Sequence, residues 1–328
     1  MPAYTAAFHR LSAIRNAQVF RDTPLSAYTR FGIGGRAAVL FDTADSEAFE
    51  AGLEVIRYFA LPRFVIGGGT NLIVSDAGFD GVVLRYTGNR ITREGDNLHI
   101  EGGAVLQDAV DSSIASGLKG FETMTGIPGY VGGAVYGNAG AYGRSIDEIV
   151  ERVHIVNGKG TAALSNSECH FSYRESIFKT RKDWVILSVD VRMEHGDSEE
   201  MARTAREIRA IRDVKYPPAM KCAGSIFKNL FFSQLPPHVQ AEVPPRIVRE
   251  GKVPSAWFLE QTNAKGLRRG DIQVASYHAN LIYNDGQGTA SDLVAVIEEL
   301  KRRVRDRFGF DLEEEVQYVG FEYPAHNR

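Results

Sequence analysis

The stretch Thr125–Gly143 reads T-G-I-P-G-Y-V-G-G-A-V-Y-G-N-A-G-A-Y-G and holds no charged side chain. Glycine loses more backbone freedom on folding than any other residue. Such a density is tolerated where the chain needs unusual angles, or where something approaches the backbone closely. Backbone N–H groups presented in this way form a concavity suited to a phosphate or pyrophosphate. A flexible linker would be polar, whereas Ile127, Val131, Val135 and the aromatic Tyr130, Tyr136 and Tyr142 are interleaved here. The stretch therefore reads as a buried, ordered loop against a ligand.

A second glycine loop lies upstream, G-G-G-T-N-L-I-V-S at Gly67–Ser75. Residues 38–41 read as a strand, and Asp45 or Ser46 can cap a helix on Phe49, Leu53, Ile56 and Phe59, ended by Pro62. Strands follow at 63–66 and 81–86 on either side of the loop. This order describes a small α/β lobe; residues 1–22 give no clear element. The loop is not a nicotinamide fingerprint. G-x-G-x-x-G must run from a strand directly into a helix, but Gly67–Gly69 leads into the extended run Asn71-Leu72-Ile73-Val74.

Residues 98–102 form a further strand, and Leu106, Val110 and Ile114 mark a helix closed by Gly117. Beyond the central stretch, strands are expected at 153–156 and 184–193. Asp197-x-x-Glu200 opens a helix on Met201, Ala205, Ile208 and Ile211. It stops before Lys215-Tyr216-Pro217-Pro218, the expected domain boundary. Then come A-G-S-I-F-K-N (223–229), a proline-rich segment (235–254), a short helix (256–261) and a strand pair or bent strand (272–284). An amphipathic helix (292–308) and a closing strand (312–319) complete the chain.

The 328 residues suffice for two or three domains, with 44% hydrophobic and 24% charged residues. A net charge of -3 gives no hint of a nucleic-acid partner. Cys169 and Cys222 stand alone, so neither a disulfide framework nor a zinc site is indicated, and no metal is expected. No apolar run has the length of a membrane span, and the first residues lack a basic region followed by an apolar one. A cytoplasmic monomer off the membrane is the expectation.

Four polar residues stand out. Ser225 sits between glycine and apolar neighbours, either a functional hydroxyl or a satisfied structural one. Arg174, in F-S-Y-R-E-S-I-F-K, is either a structural ion pair or a carboxylate or phosphate ligand. In Glu313-Glu314-Glu315, strand alternation puts Leu312, Glu314, Val316 and Tyr318 on one face and Glu315 on the other. His278, in S-Y-H-A-N, has no metal-spaced partner and reads as structural or substrate-positioning.

Taken in order, G-G-G-T-N-L-I-V-S, the central glycine stretch, Y-R-E-S-I-F-K, G-S-I-F-K-N, Y-H-A-N-L-I-Y-N and L-E-E-E-V-Q-Y-V-G resemble the UDP-N-acetylenolpyruvoylglucosamine reductase (MurB) family. The resemblance runs from about Tyr28 to Gly320. It implies an α+β flavoprotein: a two-lobed FAD-binding domain of the vanillyl-alcohol-oxidase/PCMH type at 23–214 (lobes 23–87 and 88–214), then a smaller α/β substrate-binding domain at 215–320. It also implies NADPH-dependent reduction of an enolpyruvyl UDP-sugar to UDP-N-acetylmuramate for peptidoglycan. FAD is implied against Gly67, Gly68, Gly69, Thr70, Asn71, Leu72 and Ser75. In the central stretch, the cofactor positions are Gly126, Ile127, Pro128, Gly129, Gly132, Gly133, Asn138, Gly140 and Ala141. Arg174 and Glu315 match the residues flanking the enolpyruvyl group, and Ser225 the proton donor. Tyr173, Lys215, Asn229 and His278 match substrate contacts.

The chain departs from the family pattern in places. Between Met193 and Lys215 there is room for one helix only, without the tyrosine-bearing insertion of one branch. The 230–251 segment is long for the shorter branch, Leu230 replaces a frequent proline, and Tyr277 replaces a usual lysine. Two rivals remain at this level. One is an oxidase of the same flavin superfamily, which often tethers FAD through a histidine or cysteine that neither glycine stretch contains. The other is a silent sugar-nucleotide-binding regulator, which has no reason to keep Arg174, Ser225 and Glu315 together.

Overall fold

Apolar spacing becomes structure most directly in the helix Ser46–Tyr58. Asp45 caps it, its carboxylate accepting from the Ala48 N–H at 3.0 Å. The helix ends at Tyr58, ahead of Pro62, with Ala60 at φ 49°. Phe49 and Ile56 are fully buried in one cluster with Phe41 and Leu84. The computed structural model describes residues 2–321.

Two compact units emerge, and they do not divide the chain once. The first takes the residues up to Thr23, Ala37–Gly69 and Asp80–Val214; the second takes Pro24–Arg36, Thr70–Phe79 and everything from Lys215. A cut at Lys215 is thus one of several crossings, and the 23–214 and 215–320 division omits the interleaving. The physical reason is pairing. Gln317–Val319 lies parallel to Leu72–Val74, which draws the middle of the chain into the second unit.

In the first unit, a four-stranded sheet runs in the order Ala17–Pro24, Arg36–Thr43, Phe79–Tyr86, Arg63–Ile66, the last two parallel. Residues that gave no clear element thus supply the helix Pro2–Ser12 and an edge strand. A five-stranded antiparallel sheet follows the order Gly160–Ser165, Val150–Asn157, Val185–Arg192, Asn97–Glu101, Ile91–Glu94. Leu98, Ile100, Val153, Val189 and Val191 bury one face with the helix Leu106–Ala115. The edge strand Gly160–Ser165 had no sequence signal because it buries no side chain.

The central glycine stretch is not all loop. Val131–Tyr136 is helical, although it contains Gly132 and Gly133. Val131, Ala134 and Val135 fall at helical spacing and are buried, and their packing outweighs about 1 kcal/mol of propensity cost per glycine. Left-handed angles fall instead at the flanks, on Gly126, Gly129, Gly143 and the non-glycine Asn138 and Tyr142.

The second unit carries a four-stranded antiparallel sheet ordered Lys221–Ser225, Leu281–Asn284, Ile272–Val274, Arg268–Arg269. The strand pair expected at 272–284 is present. The helix Ala290–Phe308 buries Leu293, Ile297, Leu300 and Val304, and the Phe258 and Phe308 rings meet edge-on at 5.2 Å. The closing strand is shorter than expected. Only Gln317–Val319 forms a ladder, and Glu314 makes an isolated bridge to Phe227. Strict alternation therefore fails: Val316 and Val319 are both buried.

Candidate functional site

In the first unit, Arg174 sits at the tip of a tight turn closed by Ser172 and Glu175, whose N–H groups donate to each other's carbonyls at 3.1 and 3.0 Å. Its φ is 59°, the left-handed region that a bulky side chain rarely adopts. Such strain persists only where the surroundings over-determine it. Here the Arg174 carbonyl accepts from Lys179 Nζ at 2.5 Å, and its Nη2 donates to the Gly140 carbonyl at 2.9 Å. The guanidinium also stands 5.3 Å from the centre of the Tyr173 ring. Asn138 supports the turn, its Nδ2 donating to the Ser172 carbonyl and its Oδ1 accepting from Asp147 N–H. That buried amide is committed at both ends to the protein.

The amides expected to hold a pyrophosphate are largely engaged as well. Gly126 N–H donates to Gln107 Oε1, Ile127 to Met124, Val131 to Ala104 and Gly132 to Gly102. At Gly133 a Cβ would meet nothing within 4 Å. Gly140 is fixed by contact, since a Cβ would fall 2.4 Å from the Arg144 carbonyl.

In the second unit, Ser225 ends a strand that bulges between Cys222 and Ser225, with Gly224 at φ 76° between them. The Ser225 hydroxyl lies 3.2 Å from the Tyr216 hydroxyl. Tyr216 was missed by the sequence reading; its place beside Lys215 in K-Y-P-P was the available signal. Lys215 Nζ stands 5.0 Å from the Tyr216 ring centre, and the His278 ring 6.3 Å away. Asn280, buried, holds Phe227, two residues past Ser225, by both amide ends, accepting from Phe227 N–H and donating to Phe227 O at 2.9 Å each. The same segment meets the acidic run: Glu315 N–H donates to Ile226 O at 2.7 Å, and Glu315 O accepts from Asn71 Nδ2 at 3.0 Å. The three glutamates differ accordingly. Glu313 pairs with Lys228 at 2.5 Å and Glu314 with Lys301 at 3.0 Å. Asn229 Oδ1 accepts from Ser255 N–H at 3.4 Å.

Burial, aided by the Lys215 ammonium, pushes the His278 imidazole down to about 4. Its Nδ1 accepts from Asn280 N–H at 3.2 Å, so the neutral ring carries its proton on Nε2 and offers a neutral donor. Between the ordinary value of 6.5 and about 4, the unfolded chain binds a proton that the folded chain refuses. The stability contributed by the neutral ring is complete above that window and is lost as pH falls through it. His278→Gln should flatten the pH dependence of Tm across this range; an unchanged slope would remove His278 from the account.

Residues 37–164 match a family model described as FAD binding domain, and residues 216–319 match UDP-N-acetylenolpyruvoylglucosamine reductase, C-terminal domain. The UDP-N-acetylenolpyruvoylglucosamine reductase of Solibacter usitatus is 55% identical over 95% of this chain and 100% of its own length. The chain belongs to the UDP-N-acetylenolpyruvoylglucosamine reductase family. The family's Bacillus subtilis member is 32% identical over 92% of this chain and 94% of its own. The crystal structure of the Thermus caldophilus reductase (MurB) matches with a TM-score of 0.72 at 28% identity, covering 92% of this chain and 98% of that one. The fold class is therefore the expected one, an FAD-binding domain with a reductase C-terminal domain, and the protein is an FAD-dependent oxidoreductase. The residues present fit the flavin dinucleotide such a domain implies. The stretch is uncharged, and Gly133 leaves open the space that a side chain would fill. Among the described residues, no helix is long and apolar enough to cross a membrane.

Proposed function

We propose that this chain reduces UDP-N-acetylglucosamine enolpyruvate to UDP-N-acetylmuramate in the cytoplasm, as a monomer, with NADPH as reductant. The reading rests most on its 55% identity to the Solibacter reductase over that protein's whole length. FAD, when bound, would supply hydride transfer between NADPH and the terminal alkene carbon of the enolpyruvyl group. Gly67–Gly69 and Thr70, with Gly133 and its neighbours, are the residues assigned to hold it.

The chain's own residues then have separable tasks. Negative charge builds on the carbon beside the one receiving hydride, and on its carboxylate. Arg174 stabilises that charge with a fixed cation. Ser225 delivers its hydroxyl proton to the carbon as general acid, and Tyr216, 3.2 Å away, orients that hydroxyl. Lys215 and Asn229 contact the sugar nucleotide, while His278, neutral, contributes a donor without charge. Tyr173 borders the substrate next to Arg174. Glu315 assists at the reacting carbon, on a backbone pinned at both its N–H and its carbonyl.

A purified sample should be yellow and should release FAD on denaturation. Without air, NADPH should bleach it and the enolpyruvyl substrate should restore the colour. A colourless protein that takes up no added FAD would refute the flavin assignment. In the same experiment Glu315→Gln should slow only the return of colour. Glu313→Gln should leave it nearly unchanged, because the Glu313 side chain is 71% exposed and a glutamine keeps an oxygen that can accept from the buried Lys228. Equal effects from both would mean that the acidic run is assigned in the wrong register.

A further inference from the structure

On the polar face of the five-stranded sheet, three side chains from three adjacent strands meet. Asp190 stands directly opposite His99 across one ladder, and His154 stands opposite Ser188 across the next, which brings His154 diagonal to Asp190. His99 Nδ1 lies 2.6 Å from Asp190 Oδ1, and His154 Nε2 lies 2.7 Å from Asp190 Oδ2. One nitrogen from each ring and one carboxylate oxygen all lie within 4.8 Å of one another, with the three residues partly buried. Among the described residues this is the one group of three with ligand-forming side chains so close. Cavities of about 400 and 420 Å³ flank it; His99 lines both, Asp190 the first and His154 the second. None of the three has a part in the proposed reaction.

We propose that His99, His154 and Asp190 bind one divalent first-row metal ion of the zinc class, with water completing its shell from the cavity side. Two imidazoles and a carboxylate form the borderline donor set that such ions prefer. Bonds of roughly 2.0–2.1 Å in tetrahedral array hold ligand atoms about 3.4 Å apart. The two His–Asp separations, 2.6 and 2.7 Å, are shorter than that value and no ligand atom lies more than 4.8 Å from another, so side-chain rotation can open the set around an ion. The other ionisable groups lining the two cavities are Glu94, Glu101, Glu151, Arg152, Arg192 and Tyr86. Three glutamates with Asp190 against two arginines leave the surroundings negative, which favours a dication. The ion ties together three strands of the first unit and performs no chemistry on substrate.

The full chain, treated with chelator and dialysed, is titrated calorimetrically with zinc chloride, and its Tm is recorded with and without zinc. One equivalent per chain and a rise in Tm are expected. His99→Gln, His154→Gln and Asp190→Asn should each weaken binding by roughly tenfold or more, the scale on which even supporting residues act. The double variant His99→Gln/His154→Gln should lose both the equivalent and the Tm rise. Flavin colour and Tm in chelator report whether the variants are folded. Absence of stoichiometric zinc binding to the unmodified chain overturns the proposal, whatever the variants do. So does undiminished binding by the folded double variant, which would place the ion elsewhere, for instance at the exposed His195–Asp96 pair.

Discussion

Ser225→Ala is expected to slow reduction of the enolpyruvyl substrate by roughly 10²–10⁴-fold, the span for losing a positioned acid. At 1.36 kcal/mol per factor of ten this is about 3–5 kcal/mol of barrier. Flavin reduction by NADPH uses no such proton and should stay near its normal rate. The substitution removes one hydroxyl and its contact with Tyr216, a stability change of about 1 kcal/mol. Cysteine at the same position should recover part of the rate, because a thiol also donates. Tyr216→Phe should cost less than Ser225→Ala and affect the same half of the reaction. A serine that merely holds the bulged strand predicts another pattern, in which FAD binding and both halves suffer together. Stopped-flow measurement of the two halves distinguishes them; unchanged substrate reduction in the alanine variant would end the assignment.

Arg174→Ala is expected to lower the same step by roughly 10²–10³-fold, the scale of losing one preorganised electrostatic donor. The turn adds a second, independent readout. A non-glycine residue at φ 59° carries left-handed strain, about 1–2 kcal/mol for an L-residue. Arg174→Gly should therefore be as inactive as Arg174→Ala but more stable than it by about 1 kcal/mol. Both variants lose the bond to the Gly140 carbonyl, so the difference isolates the backbone. If both are fully active, Arg174 is a structural residue. If they are equally stable, the turn carries no strain.

Helical periodicity was legible at Ser46–Tyr58 and Ala290–Phe308, each with a long apolar face, but not in the shorter helix Pro2–Ser12, which buries only Ala7 and Leu11. It was hidden at Val131–Tyr136, where glycine content signals a loop and only tertiary burial of Val131 and Val135 favours the helix. The run Glu313–Glu315 could not be divided by alternation, because the backbone bends before its short ladder begins. Its members are told apart by their partners, Lys228 and Lys301, which lie on other elements. The candidate residues were legible through motif resemblance, but their supports were not. Asn280 holds Phe227 through contacts that no spacing encodes, and Tyr216 is marked only by its place beside Lys215. His99 and His154 reach Asp190 across 91 and 36 residues of sequence, and only strand register brings them together.

The pairing of Gln317–Val319 with Leu72–Val74 has a consequence for how the protein is made. Phe31, Ile33 and Ile73 belong to the same apolar cluster as Phe258, Leu293 and Phe308. They leave the ribosome early, while their partners come last. Asn71 and Glu315, joined by a hydrogen bond, are 244 residues apart, which at about 5–20 residues per second is roughly 12–50 s of translation. Through that interval the early apolar side chains have no native partners, and they are exposed to misassociation or chaperone capture. The second unit can close only when synthesis is nearly complete, so truncation at the C-terminus should leave a nascent chain that holds these segments without a home.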